Sequence, residues 1–163
     1  KRGVKVIGLS VDGLEDHGRW IADINETQHA GVTFPIIADK DREASMLLGL
    51  LDSTTFRPRQ SLGETLTVRS VLIISPSRRV ELILSYPVAV GRNFEAILRV
   101  IDALQLSSRH KVATPANWQR GEDTMVLPFV TDDEAELMFA DKGGIRKVRS
   151  YLRLVRDPSL RIP

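Results

Sequence analysis

The order in which short apolar runs alternate with helix-period segments constrains this chain more than any other feature. Val4-Lys5-Val6-Ile7-Gly8-Leu9 reads as a strand within residues 4–10, apolar enough to be covered on both faces, as parallel strands are. Asp12 and Glu15 follow at capping-box spacing. They introduce a helix with Leu14, Ile21 and Ile24 on one face and Trp20 beside them. A turn at Gly31 leads to a second short strand, Phe34-Pro35-Ile36-Ile37, and residues 41–51 predict a second helix rich in Leu and Met. Strand, helix, strand, helix in that order argues for a parallel sheet in an α/β fold.

Beyond a polar, loop-like stretch at residues 52–66 the pattern changes to a hairpin. Residues 71–74 and 80–86 are strands joined by a turn at Ser75-Pro76-Ser77, and the alternation in the second strand suits an edge or half-exposed position. Asn93 is placed to cap a helix whose Phe94, Ile97, Leu98, Ile101 and Leu104 form one apolar stripe, a core-packing pattern. From Lys111 onward residues 112–130 lack a helical period, and Thr131 with Glu134 makes another capping box before a short helix ending near Phe139. Gly143-Gly144 breaks the chain. In the segment after it, Ile145, Val148, Tyr151, Leu152 and Val155 have helical spacing, yet their aromatic and branched side chains equally suit a strand.

Composition closes several routes. A chain of 163 residues with net charge +2 has too little positive excess to argue for nucleic-acid binding. The one basic run, Lys142, Arg146, Lys147, Arg149, Arg153, Arg156 and Arg161, reads first as a solvated face, with an anionic surface or partner as the alternative. No apolar run approaches a membrane-spanning length. Cysteine is absent, which removes disulfides and cysteine-ligated metal. Neither a phosphate-binding glycine loop nor a G-x-S-x-G elbow occurs, so no cofactor is expected. His17, His29 and His110 lack ligand spacing, so no metal is expected and the three read as surface or partly buried residues without a special role. Lys1-Arg2-Gly3 looks like a helix C-terminus, as if the body of that helix lay ahead of the first residue.

Two arginines are placed where chemistry could use them. Arg69 immediately precedes an apolar strand, and Arg92 lies between the hairpin and the next helix, in Tyr86-Pro87-Val88-Ala89-Val90-Gly91-Arg92-Asn93-Phe94. A guanidinium at a strand end suits holding an anion or a thiolate.

Those same residues carry a resemblance. Ser85-Tyr86-Pro87, Gly91 through Leu106, and Val112-Ala113-Thr114-Pro115-Ala116-Asn117-Trp118 resemble the 1-Cys peroxiredoxins, a class of the AhpC/TSA-type peroxidases. So do Val6-Ile7-Gly8-Leu9-Ser10-Val11-Asp12, Glu15-Asp16-His17, Trp20, Phe34-Pro35-Ile36-Ile37-Ala38-Asp39 and Tyr151-Leu152-Arg153. The resemblance implies a thioredoxin-like mixed sheet flanked by helices over residues 1–111 and a small dimerisation region over residues 112–163. It implies a thiol-dependent peroxidase that reduces hydrogen peroxide and organic hydroperoxides in antioxidant defence and redox homeostasis. A thiol, another small reductant or a reductase would restore it, and it would form a homodimer in the cytoplasm, with a mitochondrial or other organellar location open.

The class carries its nucleophile in a Pro-x-x-x-Thr-x-x-Cys motif with a histidine shortly before it, and these are not in the sequence. The N-terminal strands and catalytic-cysteine helix are therefore expected ahead of Lys1, and residues 1–163 alone are expected to be inactive. A shortened, non-catalytic dimerisation or interaction module is the other reading. Arg69 matches the arginine beside the cysteine, and Arg92 a second arginine typical of the class. Some members have a phospholipase activity whose aspartate would fall where this sequence has Ser77, so that activity is not carried over. The loop at 52–66 is longer than is usual for the class. If a strand from ahead of Lys1 lies between residues 4–10 and 71–74, residues 4–10 and 70–75 should share no hydrogen-bond ladder.

Overall fold

A computed structural model of the chain describes residues 2–51 and 67–160. The chain divides into two compact units, Lys1–Arg92 and Asn93–Pro163. The loop expected at residues 52–66 lies outside the described residues.

In the first unit, β1 (Gly8–Ser10) pairs in parallel with β2 (Ile36–Ala38), Leu9 opposite Ile37, and α1 (Leu14–Thr27) connects them. The strand is shorter than its apolar pattern predicts. Val4, Val6 and Ile7 remain 50%, 56% and 64% exposed, because among the described residues no second strand flanks them. The capping box at Asp12 does not form either. Gly13 is the N-cap without a side-chain bond, while the Asp12 carboxylate accepts from the Ser10 hydroxyl. A Cβ at Gly13 would come within 2.4 Å of Lys40 Cε, so the flexible end of Lys40 packs where a larger residue would displace it.

The second helix is one turn long, α2 (Glu43–Leu47), where residues 41–51 suggested more. Its N-terminus is held by Asp39, nearly buried at the end of β2. The carboxylate accepts from the backbone N–H of Ala44 at 3.1 Å and Ser45 at 2.7 Å, and from Ser45 Oγ at 2.6 Å. A carboxylate satisfying otherwise orphaned helix N–H groups does locally what a longer helix would do by propagation.

β3 (Arg69–Ile74) and β4 (Val80–Tyr86) form the expected antiparallel hairpin, with a bulge at Ile73/Ile74. Among the described residues β3 pairs only with β4 and β1 only with β2, so the absence of a ladder between residues 4–10 and 70–75 agrees with the expectation.

The second unit carries most of the buried apolar surface. Asn93 caps α3 (Phe94–His110) by accepting from the Ala96 N–H at 3.0 Å. The stripe is only partly core: Ile97 is buried, whereas Phe94 is 69% exposed. β5 (Val112–Ala113), β6 (Thr124–Val126), β7 (Arg146–Arg149) and β8 (Leu152–Val155) build an antiparallel sheet in the order β5-β6-β8-β7. The ambiguous segment after Gly144 is thus a hairpin. The capping box Thr131/Glu134 is present and starts α4 (Asp132–Phe139), and Gly143 ends the following turn at φ +86°. Leu106, Val112, Trp118, Val126, Val130, Ala135, Phe139 and Val155 form one cluster.

The basic run is not simply a solvated face. Arg153 is 4% exposed and donates to the carbonyls of Val130 and Leu127 and to Asp132. Arg146 pairs with Asp123, and Lys147 with Asp132 and Glu136.

Candidate active site

The hairpin brings Arg69 and Arg92 together. Register sets Arg69 opposite Tyr86, so the first residue of β3 and the last of β4 share one end of the pair. Pro87 has no N–H to continue the ladder. The chain turns there instead, the N–H of Val90 donating to the Pro87 carbonyl at 2.9 Å. The turn directs the Val88 carbonyl at Arg69, whose Nε donates to it at 3.0 Å. Two residues after Val90, Arg92 Nη2 donates to the Ser70 carbonyl at 3.5 Å. The Ser70 and Ser85 hydroxyls meet at 2.8 Å across the same strands.

Each guanidinium is therefore held by a backbone carbonyl. Among the described residues no carboxylate pairs with either one. Burial, with the like charge of Arg69 second, lowers the pKa of Arg92, and Tyr86 works in the opposite direction. A guanidinium starts so high that both stay cationic in water at any ordinary pH. Such a pair favours a negative charge beside it: it lowers a neighbouring thiol's pKa, and it can stabilise charge growing on a leaving oxygen.

The remaining candidates stand apart from this site. His17 is buried at 7% exposure, against its reading as a surface or partly buried residue, and neither ring nitrogen has a hydrogen-bond partner among the described residues. His29 is exposed at φ 50°, and His110 ends α3. No group of three or more His, Cys, Asp or Glu among the described residues is arranged to hold a metal ion. Ser77 meets the Ser75 hydroxyl at 2.9 Å in the hairpin turn. Sequence reasoning passed over Val88 and Ser70, since both contribute through backbone carbonyls that any residue possesses. The only available signal was the Pro-containing turn between Tyr86 and Arg92.

Residues 1–83 match the model of the AhpC/TSA family, and residues 103–142 match the C-terminal domain of 1-Cys peroxiredoxin. The chain belongs to the AhpC/TSA family. It is 41% identical over 159 residues to the 1-Cys peroxiredoxin of Dictyostelium discoideum, covering 98% of this chain and 62% of that one. With Peroxiredoxin-6 of Rattus norvegicus it shares 43% identity over 166 residues, covering 97% and 72%. A crystal structure of a Peroxiredoxin 6 mutant from Arenicola marina superposes with a TM-score of 0.84 at 42% identity, covering 98% of this chain and 73% of that chain. This AhpC/TSA chain accordingly has the thioredoxin-like α/β fold. It spans less than two thirds of the length of the Dictyostelium relative, and its 163 residues contain no cysteine.

Proposed function

We propose that Arg69 and Arg92 are the cationic side of a thiol-peroxidase site that reduces hydrogen peroxide and organic hydroperoxides. The observation that supports this is the pair itself: two adjacent guanidinium groups at one hairpin end, oriented by carbonyls and, among the described residues, not neutralised by a carboxylate. The thiolate has to come from outside these 163 residues.

In the proposed step a cysteine thiolate attacks one peroxide oxygen. An S–O bond forms as the O–O bond breaks, the sulfur is oxidised to a sulfenic acid, and the other oxygen leaves as alkoxide or hydroxide and takes up a proton. Two equivalents of a thiol reductant then return the sulfenic acid to thiol, releasing water and a disulfide. Arg69 and Arg92 favour the thiolate beforehand and stabilise the leaving oxygen during the step.

The functional division is residues 1–111 as the peroxidase domain and 112–163 as a dimerisation region, in a cytoplasmic homodimer. Among the described residues no helix is long and apolar enough to cross a membrane. The lack of cysteine in residues 1–163 favours a second reading, a non-catalytic dimerisation module. Stopped-flow oxidation of the full-length protein separates the two. Arg69→Ala should slow peroxide reduction about 10²-fold, the scale of losing a preorganised oxyanion donor, and more than substitution of His17, His29 or His110. A rate unaffected by Arg69→Ala removes the assignment, and a full-length protein without peroxidase activity favours the module.

A further inference from the structure

The turn at residues 87–91 does more than connect the two arginines. It exposes two branched apolar side chains, Val88 at 37% and Val90 at 46%. The carbonyl of Val88 itself bonds Arg69 at 3.0 Å. A residue's Cβ lies at most about 4 Å from its own carbonyl oxygen, so the Val88 Cβ is no more than roughly 7 Å from the Arg69 Nε. Val90 is fixed in the same turn by its N–H bond to Pro87 and precedes Arg92 by two residues. The segment between Tyr86 and Arg92 is Pro-Val-Ala-Val-Gly, with no side-chain hydrogen-bond donor or acceptor.

We infer that Val88 and Val90 form an apolar rim that sets substrate preference, favouring hydroperoxides with an alkyl or aryl group over hydrogen peroxide. This rests on the peroxidase reading above. The peroxide oxygens of either substrate meet the arginines. Only an organic hydroperoxide has apolar surface to remove from water against the valines. Val88 has a second, positioning role through its carbonyl, and that contribution is common to both substrates.

The test is the ratio of kcat/KM for cumene hydroperoxide to that for hydrogen peroxide in the full-length protein. Val88→Ser/Val90→Ser should lower this ratio roughly three- to tenfold, the effect of about one partly buried apolar contact in an open site. Leu137→Ser, at a still more exposed leucine on α4, should leave the ratio unchanged. General damage to the fold would slow both substrates in parallel, and the ratio would not register it. An unchanged ratio, or a parallel fall of both rates, overturns the rim, as does an equal drop with Leu137→Ser. If Arg69→Ala slows both peroxides while the valine variant leaves the ratio alone, the rim fails and the peroxidase reading stands. If Arg69→Ala changes neither rate, or the full-length protein reduces neither peroxide, both fall.

Discussion

Removing the guanidinium of Arg153 should cost the second unit a large part of its stability. Arg153 is almost wholly buried in β8, and its fork reaches three acceptors: the Val130 carbonyl at 2.6 Å, the Leu127 carbonyl at 3.0 Å and Asp132 Oδ1 at 3.0 Å. In Arg153→Ala the Val130 carbonyl loses its donor in a place water reaches poorly, at about 1–3 kcal/mol for a buried unsatisfied group. The Leu127 carbonyl keeps the Val130 N–H at 3.1 Å and loses only one net hydrogen bond, about 1 kcal/mol. Asp132 is half in water, so its lost ion pair adds little. The sum is about 3 kcal/mol. Urea unfolding followed by the fluorescence of Trp118, 1% exposed in the same core, reads this unit when Trp20 is replaced by Phe. With a urea slope of about 1 kcal/mol/M for so small a unit, the midpoint should fall by roughly 2–3 M. Arg153→Lys, which keeps the charge but cannot span the fork, should lose about half as much. Lys147→Ala breaks only exposed ion pairs, which water and salt screen, and should leave the midpoint nearly unchanged. A midpoint for Arg153→Ala within 0.5 M of the parent would refute the reasoning, as would an equal loss from Lys147→Ala.

Lys147 first, and Arg153 after it, hold the Asp132 carboxyl below its ordinary pKa. Its contribution to stability is then present above the ordinary carboxylate range, about pH 4, and is lost as pH falls through the lowered folded value. Asp132→Asn should flatten the acid limb of midpoint against pH, and an unchanged limb would reject it. The open edge of β4, which pairs only with β3 among the described residues, should join its counterpart antiparallel in a two-fold dimer. Sedimentation of the full-length protein at micromolar concentration should give twice the chain mass, and a monomer would contradict this.

Local signals in the sequence were read correctly where the partners lie within a few residues. Asn93 at an N-cap, the Thr131/Glu134 box and the alternation of residues 80–86 each became the element they announced. Signals that depend on distant cover did not. Residues 4–7 have the composition of a strand flanked on both sides, yet composition cannot supply the flanking strands. Asp12 is the local exception: it had two possible partners, the helix N-terminus and the Ser10 hydroxyl, and capping spacing alone does not rank them. In residues 145–156 the helical spacing lost to the sheet, because β8 is paired on both edges and buries Arg153 and Val155 on one face at period two. Arg153 looked like surface charge since its acceptors are carbonyls 23 and 26 residues away. The arginine site was half legible for the same reason. Arg69 and Arg92 declare themselves as side chains, while the carbonyls that aim them do not.

The uneven distribution of buried apolar surface also sets an order in which the chain opens. Leu50 is the one fully buried apolar residue among the described part of the first unit, whereas the second unit has the contiguous cluster around Trp118 and Phe139. Opening free energies follow local burial. Amides of β1 and β2 should therefore exchange with solvent hydrogen through frequent, shallow fluctuations, and those of β6 and β8 only when their unit unfolds. The arginine hairpin, with Ile74 and Ile83 facing water, belongs to the readily opened class. Its geometry is then an average over fluctuations that whatever covers those two isoleucines would quiet.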